Sequence, residues 1–281
     1  MSDFKLLQRR LFGVSYQMLG TAAAAEDIAQ ECIADFLSKK ESTSIQNPEA
    51  YLVRTAINKS LNHLKKEQRS TYIGSWLPEP ILDESFRMES RLDLSFGFAL
   101  LLDKLNPNER AVFILRESFD FPFSDIAEQF ELKEASARKL FQRAKAKLKD
   151  AEKSRPLPHK SEQQKLITAF MKAIEQGQLD QLQELLKEDM VLWSDGGGKK
   201  AAALKPLHGR EVCLKFIFGL IQKAAKQGQA VKTELQSIEN ETVIYQYLDR
   251  KLDSIILFGT QEGLIEAIYI QRNPEKMAKA P

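Results

Sequence analysis

The chain has 281 residues, 43% of them hydrophobic and 28% charged, which excludes wholesale disorder and leaves room for two or more domains. Lys and Arg number 41 against 39 Asp and Glu, so the net charge of +2 confines any nucleic-acid footprint to a local patch. No run of about 18 uncharged apolar residues is present, and the early charges Asp3, Lys5, Arg9 and Arg10 break any signal-peptide pattern, so a cytoplasmic protein without a membrane partner is expected.

From Asp3 to Lys66 the apolar residues recur at helical intervals, as in Leu7, Leu11, Val14 and Met18 and again in Ile28, Cys32, Ile33 and Phe36. Gly20-Thr21 separates two helices, and Asn47-Pro48-Glu49 opens a third with a cap and a first-turn proline. That third helix carries Arg54, Asn58, Lys59, Asn62, Lys65, Lys66 and Arg69 between apolar positions, a second cationic surface beside the one described next. Residues 71–90, with Gly74, Pro78 and Pro80, read as a linker, in which Trp76-Leu77 is unusual and Trp76 and Pro78 are apolar groups that invite docking.

Helical periodicity resumes near Glu89 and runs to Leu105, where Asn106-Pro107-Asn108-Glu109 supplies a new cap. After a break at Phe119–Pro122 come two short helical patterns, Phe123–Phe130 and Lys133–Lys149, a helix-turn-helix candidate. In such a motif the first residues of the second helix face base edges, which assigns Glu134, Ser136, Arg138 and Lys139 as readers and Arg143 to phosphates. A solvated charged helix without a ligand is the plain alternative.

Residues 151–162 read as a second linker, and 163–281 as a domain of different character. Helices are expected near Gln164–Gln176, Leu179–Lys187 and Arg210–Lys226. A strand is expected at Met190–Trp193, and an antiparallel meander at Val231–Ile238, Thr242–Leu248, Ser254–Phe258 and Leu264–Ile270. The fold class is therefore multidomain: two all-α domains, 1–70 and 91–150, followed by an α+β domain. Cys32 and Cys213 read as buried thiols, and His63, His159 and His208 lack metal-ligand spacing, so neither a metal nor another cofactor is expected.

In this order the pieces resemble the extracytoplasmic-function sigma factors of bacterial RNA polymerase. Ala25-Glu26-Asp27-Ile28-Ala29-Gln30-Glu31 resembles the helix that docks the polymerase clamp, and Asn47-Pro48-Glu49-Ala50-Tyr51-Leu52 the entry to the minus-ten helix. Leu105–Phe113 and Ser136–Ala144 resemble the minus-thirty-five domain. The resemblance implies core RNA polymerase and promoter DNA as partners. It gives Asp27, Gln30 and Glu31 to the polymerase, and Asn58, Lys59, Asn62, Lys65 and Arg69 to the minus-ten element. It gives Glu134, Ser136, Arg138, Lys139 and Arg143 to the minus-thirty-five element. Where the family usually has Gly in the helix-turn-helix joint this chain has Glu131, so the joint is remodelled if it needs positive φ.

Trp76-Leu77-Pro78-Glu79-Pro80, Asp195-Gly196-Gly197-Gly198-Lys199 and Asn273-Pro274-Glu275-Lys276-Met277 resemble the subgroup with a SnoaL-like C-terminal extension. That resemblance implies control of the sigma regions from within the chain, in place of a separate anti-sigma factor, with an unidentified small-molecule or protein signal left open. Relatives of the extension include enzymes with an acid-base Asp. Asp195 nevertheless has no neighbouring His or acid in sequence, and Asp before three glycines is a natural tight turn, so no catalytic residue is assigned. The expectation is that the linker motif with Trp76, Leu77 and Pro78 meets the Gly-rich turn Asp195-Gly196-Gly197-Gly198-Lys199, so that the extension holds the two promoter-binding domains in one relative orientation, with Asn273 and Pro274 as further regulatory residues. A repressor or activator that binds promoter duplex without polymerase, and a cyclase, isomerase or ligand sensor fused to a DNA-binding regulator, are the competing readings.

Overall fold

A computed structural model describes residues 2–38, 45–67, 74–81, 92–154, 163–238 and 241–278. The chain divides into two compact units, Met1–Thr71 with Pro78–Lys153, and Tyr72–Leu77 with Ser154–Pro281.

The first unit opens with α1 (Ser2–Leu19), α2 (Ala22–Ser38) and α3 (Pro48–Glu67). Gly20, at φ 68°, ends α1, and the Asn47 side chain accepts from Ala50 N at 3.0 Å to cap α3. Leu11, Val14 and Met18 of α1 meet Ile28 and Cys32 of α2 and Leu52 and Ile57 of α3 in one core. Each such side chain contributes roughly 1.5–3 kcal/mol by leaving water. Burial pushes the Cys32 thiol up to about 12, and Cys32 and Cys213 are both free and buried.

The next helix, α4, spans Phe96–Leu102 with Ser95 as its cap; of the run expected from Glu89 to Leu105, residues 89–91 lie outside the described residues and Leu92–Leu94 are not helical. Leu92, Leu94 and Phe96 are buried while Asp93 is exposed, so the stretch before the cap alternates with period two rather than turning helically. A Cβ on Gly13 of α1 would lie 2.6 Å from Leu92 Cδ1, so the Leu92 side chain packs directly over that glycine.

Helix α5 (Pro107–Phe119) begins with the expected capping box, Asn106 and Glu109 serving each other's backbone N–H, and ends at Asp120, at φ 54°. Helices α6 (Phe123–Gln129) and α7 (Glu134–Ser154) form the helix-turn-helix. Its joint holds Glu131 at φ 54°, the left-handed conformation that favours glycine. Leu132 N donates to Ala127 O at 2.8 Å across the joint, and Phe113, Phe123 and Phe141 cluster beneath it. Ala111, Ile114, Ile126 and Ala137 belong to the same core as α1–α3, so the two helical regions pack as one body.

In the second unit, α8 (Gln163–Glu175) and α9 (Leu179–Leu185) precede β1 (Leu186–Asp195), β2 (Leu207–His208), α10 (Arg210–Lys226) and the strands β3 (Val231–Ile238), β4 (Glu241–Leu248), β5 (Lys251–Gln261) and β6 (Leu264–Gln271). The sheet order is β2-β1-β6-β5-β4-β3. Strands β3 to β6 form the expected meander, β5 running beyond the expected Ser254–Phe258 at both ends, with register shifts between β4 and β5 at Gln246/Tyr247 and between β5 and β6 at Gly259/Thr260. The sheet as a whole is mixed: β1 pairs in parallel with β6, Leu192 opposite Ile268 and Asp195 opposite Gln271. That pairing sets the end of β1 beside the end of β6 and the short 3-10 helix Pro274–Lys276. Phe170, Leu182, Leu192, Ile244, Phe258 and Ile268 form the core. No described helix is long and apolar enough to cross a membrane.

Candidate functional site

Helix α7 presents Glu134, Arg138, Lys139 and Arg143 to solvent, with Ser136 half-buried, while Ala137, Ala144 and Leu148 face inward. Arg138 Nε donates to Glu134 Oε1 at 3.2 Å, and its guanidinium lies 4.7 Å from the Phe123 ring centroid, a contact that orients the side chain. Arg143 Nε is 3.7 Å from the buried carboxylate of Glu109, and Lys147 Nζ is 2.7 Å from it. Burial raises the Glu109 pKa, and Lys147, the Asn106 N–H and Arg143 together outweigh that, holding it below the usual carboxylate value.

On α3, Asn58, Asn62 and Lys65 are exposed, whereas Lys59 is pulled back. Its ammonium lies 2.9 Å from Glu31 and 3.0 Å from Asp35, both on α2, and hydrogen bonds to these carboxylates raise its pKa. The structure thus joins a residue expected on DNA to one expected on polymerase. Arg69 lies outside the described residues. The other end of the face is covered by the helix-turn-helix: Arg54 pairs with Asp125 at 2.7 Å, and Gln129 Nε2 donates to Asn58 Oδ1 at 3.2 Å. Sequence reasoning named Arg54 and Asn58 but missed their partners, because Asp125 and Gln129 are 71 residues distant from them. Asp27, Gln30 and Glu31 share an exposed face of α2.

In the linker motif Leu77, Pro78, Glu79 and Pro80 are buried and Trp76 is half-buried. Trp76 and Leu77 belong to the second unit, and Pro78 onward to the first. In the second unit Asp195 Oδ2 accepts from Leu77 N at 3.0 Å and from Lys276 Nζ at 2.8 Å, while its Oδ1 accepts from Gly197 N at 2.9 Å. Leu77 O accepts from Lys276 Nζ at 2.7 Å and from Gln271 Nε2 at 3.3 Å, so both polar backbone groups of this buried residue are met. Lys276 Nζ sits 4.3 Å from the Trp76 ring centroid. The glycines follow from crowding: a Cβ on Gly196 would strike Lys200 O, and one on Gly197 would strike the Asn273 side chain. Asn273 is buried and caps Glu275 N at 3.1 Å, Lys199 pairs with Glu275, and Pro274 is exposed.

In the first unit Glu79 Oε2 accepts from Ala22 N at 2.7 Å, capping α2, and Glu79 N donates to Gly20 O at 2.8 Å. Tyr16 donates its hydroxyl to Glu79 O at 2.7 Å. Sequence reasoning missed Glu79, Gln271 and Lys276 as functional residues, though Glu79 and Lys276 stand inside recognisable motifs. Their signal is charge or polarity in a buried apolar context, which only the fold reveals.

Asp195 is engaged in turn and seat contacts and does not line the cavity of the second unit, whose lining among the described residues includes a single carboxylate, Glu175. Among the described residues no cluster suits a metal ion.

Comparison with known proteins gives the family. Sigma-70 region 2 matches residues 4–70 and sigma-70 region 4 matches residues 97–148. The ECF RNA polymerase sigma factor SigJ of Mycobacterium tuberculosis is 30% identical over 298 residues, covering 100% of this chain and 94% of that protein. The probable ECF RNA polymerase sigma factor SigI of the same species is 26% identical over 185 residues, 63% of each chain. The crystal structure of Mycobacterium tuberculosis SigJ aligns with a TM-score of 0.76 at 27% identity, over 100% of this chain and 99% of that one. With its two helical sigma regions and its C-terminal α+β domain, the chain belongs to the extracytoplasmic-function RNA polymerase sigma factors, which are not enzymes.

Proposed function

We propose that this sigma factor recruits core RNA polymerase through Asp27, Gln30 and Glu31, reads a minus-ten element with Asn58, Asn62, Lys65 and Arg69, and reads a minus-thirty-five element with Glu134, Ser136, Arg138, Lys139 and Arg143. Lys59 serves this surface indirectly, by holding α2 against α3. Its C-terminal domain modulates these activities in cis by gripping the linker.

The observation that carries the reading of cis control is the pair of bonds from Asp195 and Lys276 to the two polar backbone groups of Leu77. One residue further on, the same linker enters the first unit, where Glu79 caps the helix that bears Asp27, Gln30 and Glu31. A grip on the linker therefore bears directly on the segment that supports the proposed polymerase-binding helix. Such a device works as a two-state element whose balance polymerase or promoter can shift.

The test is Trp76→Ala in run-off transcription with core polymerase. A severalfold change in basal transcript, with circular dichroism unchanged, supports cis control, and unchanged activity rejects it. A fused cyclase or isomerase requires turnover at the cavity, and no dyad of acid-base groups lines it among the described residues.

A further inference from the structure

The second unit contains a cavity of about 300 Å³ between α8, α10 and the strands β3–β6. Phe170, Met171, Ile217, Ile221, Ile256 and Phe258 give it apolar walls on two sides. Of these, Met171, Ile217, Ile221 and Ile256 are only half-buried, so apolar surface faces the cavity instead of closing it. Among the described residues its polar lining is Thr233, Gln246 and, at the exposed end of α8, Glu175. Gln246 Oε1 accepts from Ser254 Oγ at 2.9 Å, which commits the carboxamide oxygen and leaves its NH₂ as the donor on offer.

Among the described residues, neither Lys, Arg nor His lines the cavity. A carboxylate or phosphate would therefore lose its hydration there with no counter-charge to replace it. The carboxylate of Glu175, exposed at the rim, is solvated and does not supply a buried partner for a cation. We propose that this cavity binds a neutral, largely apolar small molecule that presents one hydrogen-bond acceptor, such as a ketone, ester or hydroxyl oxygen, to Gln246. Its volume sits at the lower end for small-molecule sites, which suits a medium-length alkyl chain or a small ring system. Ile268 and Ile270 of β6 also line the cavity, and the next residue, Gln271, donates to Leu77 O. The occupant thus rests on the strand that holds the linker motif.

The test uses the full chain and the neutral dye N-phenyl-1-naphthylamine, whose fluorescence rises in apolar surroundings. Decan-2-one, decanoate and decylamine are the competitors. Expected are saturable one-to-one uptake of the dye, and displacement by decan-2-one at concentrations at least tenfold lower than by decanoate or decylamine. Ile217→Trp or Ile221→Trp, each filling the cavity from a half-buried position, should weaken dye binding at least tenfold with unchanged circular dichroism. If one of them misfolds, the other decides. Gln246→Leu should keep the dye but cut the ketone's affinity about fivefold.

Equal dye uptake by correctly folded Trp variants, no uptake by the parent, or competition by decanoate or decylamine as strong as by the ketone would each overturn the proposal. Light scattering that shows a second copy forming a dimer which excludes the dye would do so as well. Because the readout is fluorescence without polymerase, failure here is distinct from failure of cis control.

Discussion

Lys276 Nζ lies 2.8 Å from Asp195 Oδ2, and both side chains are buried, at 6% and 0% exposure. Each partner of the pair also binds the linker, since Asp195 takes the Leu77 N–H and Lys276 takes the Leu77 carbonyl. Removing one charge strands the other. Asp195→Asn should destabilise the second unit by about 3–5 kcal/mol, read as a lower urea midpoint. Lys276→Met, which keeps length but no donor, should also leave Trp76 more open to acrylamide quenching. Quenching equal to the parent would show that the seat does not hold the linker.

The ion pairs of Lys59 separate its role from that of Lys65. In the polymerase complex on a forked promoter DNA, Lys65→Ala should lower the salt slope of binding by about 0.7, the value for one single-strand phosphate contact. Lys59→Ala should leave that slope unchanged and cost about 1 kcal/mol or less of stability, since its partners are largely exposed. Measuring affinity from low to moderate salt distinguishes the two.

Glu109 should make the first unit acid-sensitive. Its carboxyl is held below the ordinary value when folded, so its contribution is complete above the unfolded-chain pKa of about 4.3 and is lost as pH falls through the lower native value. Glu109→Gln should be less stable than the parent at pH 7, and the gap should close toward pH 3. Calorimetry across that range checks it, and a gap independent of pH would refute it.

Glu131 holds a left-handed conformation in the joint of the helix-turn-helix, with its own side chain exposed. Glu131→Gly should therefore stabilise the first unit by about 1 kcal/mol, visible as a raised thermal midpoint, without altering the fold.

Much of this architecture was legible in the sequence because its signals are local. The caps at Asn47 and Asn106, the glycine at 20 and the apolar stripes of α1 to α3 each act within a few residues, and they placed the helices. Within the described residues the expected helix gives way at Leu92–Leu94 to an extended stretch before the Ser95 cap, since a short apolar run satisfies either period. The parallel pairing of β1 with β6 was hidden because nothing in Met190–Trp193 names its partner some 75 residues away, whereas the meander follows from short turns. The motifs around Trp76, Asp195 and Asn273 were visible as motifs, yet Lys276 and Gln271 acquire meaning only once β6 delivers them to Leu77. Asp125 and Gln129 were silent for the same reason: they matter through a face of α3 that only tertiary packing covers.

The most direct measurement is run-off transcription with purified core polymerase on the protein's own upstream region, comparing the full chain with one ended at Ser154. A specific transcript that depends on the sigma factor is expected, with yields from the two forms differing severalfold because the truncated chain has lost the Asp195 and Lys276 grip on Leu77. Equal yields would contradict control in cis, and no transcript from either form, with promoter duplex still bound in the absence of polymerase, would contradict the proposed promoter-specific initiation.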